Sequence, residues 1–339
     1  MKENKRIILL LHENPPSAIG GIERHSYNIL QLFKDDRNIE IKVLSKNEIT
    51  HSRISKIDKI LFSFKELKQK IISSGAEIVH IHGFASFVVF QAIIAAAITK
   101  KKIIYTPHFH PFKTLDNPAL GKFFFYLLLR PILNKVNTII CINEEDTLFF
   151  KRYHSNIITI PNWLNDTPSP DDIIHHKKSQ NNKMILFVGR ADNNKGVDHL
   201  QKLSTEKYEI HCVTKGHIKD GFIYHQGISE KTLSDLYYQA KLVVIPSRYE
   251  AFSYVALESL SHGTQVLVSE RVRIIDHLSE SNSLLHHFNY GDFDAFLKEI
   301  DVIMNKDTNE QLSNSFYEIV TTFDKEKIKE VLKSIYLQG

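Results

Sequence analysis

Short apolar runs alternate with longer segments of helical period from one end of this chain to the other, and the alternation breaks only once. Runs of four to six apolar residues are too short for core helices. They read as strands buried on both faces of a parallel sheet. The first series is Arg6–Leu11, Glu40–Leu44, Glu77–Ile81, Lys102–Tyr105, Thr138–Ile142 and Ile157–Ile160. Residues 163–183 interrupt it with a polar stretch containing Pro168 and Pro170, which predicts an exposed linker. A second series then follows at Met184–Val188, Tyr208–Val213, Phe222–His225, Lys241–Ile245 and Gln265–Val268. Two α/β domains with parallel sheets are the architecture this order predicts, and 339 residues suffice for two cores. The last segment, residues 324–337, sets Ile328, Val331, Leu332 and Ile335 at helical spacing, so its apolar stripe needs a partner to pack on.

Composition narrows the chemistry. The two cysteines, Cys141 and Cys212, each lie inside an apolar run, which excludes a disulfide framework and points to a reducing compartment. Five apolar residues before His12 are too few for a signal peptide. The 18 histidines show no spacing that reads as a metal site, and the acidic pairs Asp35-Asp36 and Asp171-Asp172 fall in polar stretches, so no metal is expected. Residues 1–165 hold 23 Lys and Arg against 14 Asp and Glu, whereas the rest of the chain is net acidic. The first half should therefore face something anionic, and no nucleic-acid motif accompanies the charge. Residues 55–72 form a basic amphipathic pattern with Lys56, Lys59, Lys65, Lys68 and Lys70 beside an apolar stripe, as a helix lying on an anionic membrane would. An ordinary core helix with a lysine-rich outer face fits the same pattern. The run 123–129 is far too short to span a bilayer and is expected as a buried helix, with shallow membrane contact as the lesser reading.

The segment 246–258 carries the most specific chemistry. Pro246 ends the strand at 241–245, Glu250 falls in the connecting loop, and Glu258 falls about a turn into the next helix. The N–H groups of Phe252, Ser253 and Tyr254 at that helix start suit a phosphate, and ionised carboxylates accept hydrogen bonds from sugar or ribose hydroxyls. The implied ligand is a sugar nucleotide. At the end of the second domain's first strand, Gly189-Arg190-Ala191-Asp192-Asn193-Asn194-Lys195-Gly196 offers Arg190 and Lys195 to a diphosphate from one loop. In the first half, Gly20-Gly21 precedes a helix, and the pair permits positive φ or a close backbone approach. His108 follows the strand 102–105, with His110, His80 and His82 as weaker candidates, one of them expected to be structural. No Gly-x-Gly-x-x-Gly fingerprint is present, which argues against a nicotinamide dehydrogenase.

From Ser247 through Leu267 the chain resembles the retaining glycosyltransferases of family 4, the glycosyl transferases group 1 type. Ala251 and Ser253 stand where that family often has glycine, and Gln265 where proline is usual. The resemblance implies a GT-B fold, two Rossmann-like domains with an interdomain cleft: an acceptor domain at 1–165, a nucleotide-sugar domain at 183–320, and a terminal helix at 321–339 returning to the first. It implies that Arg190 and Lys195 neutralise the departing diphosphate, Glu250 holds the sugar hydroxyls and Glu258 the ribose. On that reading Glu250 touches only sugar, so its loss should spare nucleotide binding. The same resemblance places Gly20 and Gly21 against donor and acceptor, and His108 beside the transferred sugar. Ile160-Pro161-Asn162 matches the family's domain junction, with Trp163 in place of its usual glycine. The activity so implied is metal-independent transfer of a hexose-type sugar from a UDP- or GDP-linked donor. The acceptor would be a hydroxyl of a surface glycan or lipid-linked molecule in polysaccharide, lipopolysaccharide or capsule synthesis. Such an enzyme needs no cofactor, touches no nucleic acid, and works in the cytoplasm or on the inner face of the cytoplasmic membrane. A sugar-nucleotide epimerase of the same fold and a non-catalytic partner subunit are the rival readings.

Overall fold

A computed structural model of the chain describes residues 5–12, 20–45, 56–84, 86–109, 112, 118–177, 180–306 and 312–338. They divide into two compact units, one of residues 1–165 with 325–339 and one of residues 166–324.

The first unit is built on a six-stranded sheet of β1 (Arg6–His12), β2 (Ile39–Ser45), β3 (Ile78–His82), β4 (Lys102–Thr106), β5 (Thr138–Cys141) and β6 (Ile157–Thr159) in the order β2-β1-β3-β4-β5-β6. All neighbours run parallel. The second unit repeats the design with β7 (Asn181–Val188), β8 (Glu209–Val213), β9 (Ile223–His225), β10 (Ala240–Ile245), β11 (Gln265–Ser269) and β12 (Leu285–Phe288), ordered β12-β11-β10-β7-β8-β9 and again all parallel. Strand order reverses between β1 and β3 in one sheet and between β7 and β10 in the other. Ligands of open parallel sheets bind beyond the carboxyl ends of the strands at such reversals.

Side chains buried on both sides explain why the inner strands of each sheet appear in the sequence as apolar runs. Ile8 and Leu10 face one layer, Leu9 and Leu11 the other, and all four are buried. The twelfth strand, Leu285-His286-His287-Phe288, is at an edge with only Phe288 fully buried, and its two histidines hid it. The stretch expected as a bare linker contains a helix, Pro170–Lys177, and its last residues already belong to β7. Trp163 within it is wholly buried, and its carbonyl accepts from Asn28 Nδ2 at 2.8 Å.

The terminal helix, Lys325–Leu337, lays Ile328, Leu332, Ile335 and Tyr336 into the first unit's core beside Ile8, Leu10, Ile29, Phe33 and Ile104. Val331, expected in that stripe, faces outward instead. Cations of the sheet satisfy the carbonyls that end the helix: Arg6 Nη1 donates to Tyr336 O at 3.0 Å and Lys102 Nζ to Ile335 O at 2.8 Å. Asp36 binds its solvent side through Lys333 at 3.0 Å.

The basic helix Lys56–Ser73 uses its apolar stripe internally where its side chains are described, since Leu67 and Ile71 belong to the first unit's core. The side chains of residues 56–63 lie outside the described residues. The run 123–129 is buried on one side only, through Phe125 and Leu129, while Phe123, Tyr126 and Leu127 are exposed. No described helix is long and apolar enough to cross a membrane.

Candidate active site

In the second unit the loops after β7 and β10 meet because their strands are neighbours. Asp192 caps a short turn at Asn193–Lys195 by accepting Lys195 N at 3.1 Å, and Gly196 leaves that turn at φ 71°. Only glycine fits there: a Cβ would lie 1.9 Å from the Pro246 carbonyl oxygen. Arg248 N donates to Asn194 O at 2.7 Å, so backbone joins the two loops as well. This contact sets Lys195 Nζ 2.8 Å from Glu250 Oε1, which also accepts from Ser247 Oγ at 2.6 Å. The backbone of Glu250 is fixed as well, its N–H donating to Arg271 O at 3.2 Å and its carbonyl accepting from Arg273 N at 2.9 Å. A carboxylate held by a hydroxyl and paired with an ammonium, on a loop pinned through its backbone, offers an acceptor for hydroxyls beside a cation for phosphate.

Arg190 stands apart from that group, its side chain 78% exposed and 3.3 Å from Asp192 Oδ2. Phe252, Ser253 and Tyr254 are buried where the helix Tyr254–Ser261 begins. Ser253 is its N-cap, takes Ala256 N on its own Oγ at 3.4 Å, and has φ 145°, a left-handed value that costs a non-glycine residue strain. That conformation is the physical reason glycine suits the position. Glu258 follows in the second turn, half-buried, and its Oε2 accepts from Tyr237 OH at 2.7 Å. Tyr237 escaped the sequence reading because it belongs to no spaced motif, and Ser247, which heads the family segment, carried no role there; only the fold brings their hydroxyls to the two glutamates.

The chain does contain an Asp-x-Asp triplet, Asp292-Phe293-Asp294, of the kind that can hold a divalent cation. Its first carboxylate is committed locally, capping the helix Phe293–Asn305 by accepting Ala295 N at 2.8 Å.

In the first unit Gly20 is extended and Gly21 opens the helix Gly21–Leu32. Positive φ is therefore not what the glycines supply. Gly20 supplies room: a Cβ would sit 2.0 Å from Glu23 Oε2, which folds back over it, whereas nothing lies within 4 Å of a Cβ on Gly21. His108 follows β4 at φ 47°, buried, with Nε2 3.3 Å from Nδ1 of His82 at the end of β3. His25, from the helix Gly21–Leu32, joins them at a ring separation of 5.0 Å from His108, and its Nδ1 is 2.7 Å from Asn162 Oδ1. One ring nitrogen from each histidine lies within 4.8 Å of the others, close enough for a transition metal or for shared hydrogen bonds to a hydroxyl. His80 is structural: its ring nitrogens contact Tyr336 OH and Thr106 Oγ1, both at 2.8 Å, and burial holds its pKa well below the ordinary histidine value. His110 lies outside the described residues. Neither thiol is reactive, since burial pushes Cys141 upward and Cys212 up to about 12.

Comparison with known proteins identifies the family and the fold. A protein from the cps region of Klebsiella pneumoniae is 26% identical over 227 residues, which span 60% of this chain and 63% of that protein. Sucrose-phosphate synthase of Thermosynechococcus elongatus has the same fold at a TM-score of 0.78 and 15% identity, covering 98% of both chains. Anabaena HepE, solved in complex with UDP and glucose, matches at a TM-score of 0.73 and 13% identity over 97% of this chain and 99% of its own. The family model "Glycosyltransferase Family 4" matches residues 19–167 and "Glycosyl transferases group 1" residues 169–319, so the chain belongs to the family 4, group 1 glycosyltransferases of GT-B fold.

Proposed function

We propose that this enzyme transfers a hexose-type sugar, with retention, from a nucleoside diphosphate sugar to a hydroxyl of a surface glycan or lipid-linked acceptor. The observation that carries the reading is the Lys195–Glu250 pair at the strand-order reversal of the second sheet, 2.8 Å apart, with Glu258 on the helix that follows. The complex of HepE with UDP and glucose supports the donor class, and the cps-region relative supports the polysaccharide setting.

In this mechanism the second unit holds the nucleotide, with Glu258 on the ribose hydroxyls and the helix start at Phe252, Ser253 and Tyr254 against phosphate. Glu250 holds the sugar hydroxyls. The bond from the anomeric carbon to the diphosphate oxygen breaks, its electron pair staying on phosphate, where Lys195 and Arg190 stabilise the charge. The acceptor oxygen forms its bond on the same face, and its proton passes to the departing phosphate. The family resemblance assigns His108 to the transferred sugar and the Gly20-Gly21 turn to donor and acceptor. The two basic side chains do the work of a divalent cation, so activity should survive EDTA. The enzyme acts in the cytoplasm, peripheral to the membrane that bears its acceptor.

The deciding experiment is a thermal-shift screen with UDP, GDP and their sugars, followed by transfer assays with the sugars that bind. Stabilisation by one nucleoside diphosphate that Glu258→Gln abolishes supports the reading. Failure of every sugar nucleotide to bind refutes it.

A further inference from the structure

One surface of the first unit combines features the transfer chemistry does not use. In the stretch from Pro118 to Lys135, the helix Pro118–Phe123 runs on through the turns 124–135. Phe125, Leu129 and Leu133 anchor it in the core, with the Phe125 ring 5.0 Å from Phe149 and 5.2 Å from Tyr153. Its other side turns Leu120, Phe123, Tyr126 and Leu127 outward, each between 44% and 59% exposed. Four large apolar side chains within eight residues, at spacings of three and four, form one stripe rather than scattered exposure.

The stripe's charge is one-sided. Residues 118–135 contain Lys122, Arg130 and Lys135 and no Asp or Glu. All three cations are exposed, as are Lys151 and Arg152. Arg130 stacks over the Tyr153 ring at 5.5 Å, and Arg152 lies near enough to act on the same hydroxyl, so these cations rim the patch that Tyr126 borders. An apolar strip whose own charged residues, 118–135, are all cations, on a unit carrying an excess of nine positive charges over residues 1–165, complements an anionic lipid surface. It discourages self-pairing, which would bring like charges together.

We propose that the face formed by residues 118–135 is a docking surface for an anionic lipid bilayer, with Leu120, Phe123 and Leu127 entering the headgroup boundary and Lys122, Arg130 and Arg152 meeting acidic headgroups. It stands independently of the transferase reading, because it is tested without any sugar nucleotide. Purified full-length protein is floated with vesicles of phosphatidylcholine alone or of phosphatidylcholine and phosphatidylglycerol in equal parts. Binding is expected to the anionic vesicles only, fading as salt rises past the range where charges are screened. Joint replacement Leu120→Ser, Phe123→Ser and Leu127→Ser should lower partitioning about tenfold or more. Lys122→Gln and Arg130→Gln should each lower it about fivefold. Unchanged melting temperature and circular dichroism show that the variants fold. Absence of wild-type binding at low salt, or wild-type partitioning by the triple Ser variant, overturns the proposal. So does a dimer in sedimentation velocity that the Ser variant dissolves while vesicles are ignored, which assigns the face to a second copy.

Discussion

Lys195 and Glu250 are 55 residues apart in the chain, and their contact changes what each substitution should do. A diphosphate that takes Lys195 must draw it from Glu250. Removing the carboxylate charge therefore frees the ammonium, and Glu250→Gln should tighten binding of sugar-free nucleoside diphosphate by about two- to fivefold, the scale of a partly exposed ion pair, while transfer falls. The sequence alone suggested no change in that binding, because spacing cannot show which side chain faces which. Calorimetry with the diphosphate decides the sign. Lys195→Ala and Arg190→Ala should each reduce transfer by about 100-fold, as loss of a charge-stabilising donor does; steady-state kinetics showing wild-type turnover in either would remove that residue from the mechanism. Glu258 is aimed by Tyr237, so Tyr237→Phe should weaken nucleotide affinity in the same direction as Glu258→Gln, with less than additive loss in the double variant. Titration of all three variants measures this coupling.

At the scale of elements, the terminal helix shows what patterning can and cannot reveal. Its heptad-like stripe was legible, and so was the need for a partner. Its return to the first domain came from the family resemblance, and which residues it meets came from neither, because the partners Arg6, Lys102, Asp36 and His80 are scattered through the first 102 residues. The strands were legible for a related reason: burial on both faces writes an unbroken apolar run, and the edge strand with His286 and His287 lacks that signature. The site divides in the same way. Glu250 and Glu258 announce themselves through one strand-turn-helix segment, whereas the His25–His82–His108 group is assembled from three separate elements. Leu332→Ala should cost the first unit about 2–5 kcal/mol in denaturant unfolding, by transfer and cavity terms together. His80 adds a pH dependence. Burial, aided by the charge His25 can carry, lowers its pKa well below 6.5, so the folded state keeps it neutral. Its contribution is therefore complete above pH 6.5 and is lost as pH falls from there toward the depressed folded value, at up to about 1.4 kcal/mol per pH unit. Unfolding between pH 7 and pH 5 should show this slope, and His80→Gln should flatten it.

The whole molecule sorts its functions by unit and by charge. The basic half carries the apolar face, the glycine turn and the group of His25, His82 and His108; the acidic half carries Glu250 and Glu258 and the two basic residues proposed for a diphosphate. A nucleotide held only by the second unit should therefore leave a local footprint, since each unit has its own core and its own sheet. Hydrogen exchange reads such a footprint directly, because ligand binding suppresses the openings through which bound backbone amides exchange. At about 100 times Kd, binding lowers the open population about 100-fold, equivalent to about 2.7 kcal/mol. Peptides covering 189–197 and 246–258 are expected to slow toward that limit when nucleoside diphosphate is added, while peptides covering 20–32 and 118–135 keep their rates. Equal slowing in both units would show that the nucleotide also engages the first unit, and the second unit would no longer be its sole holder.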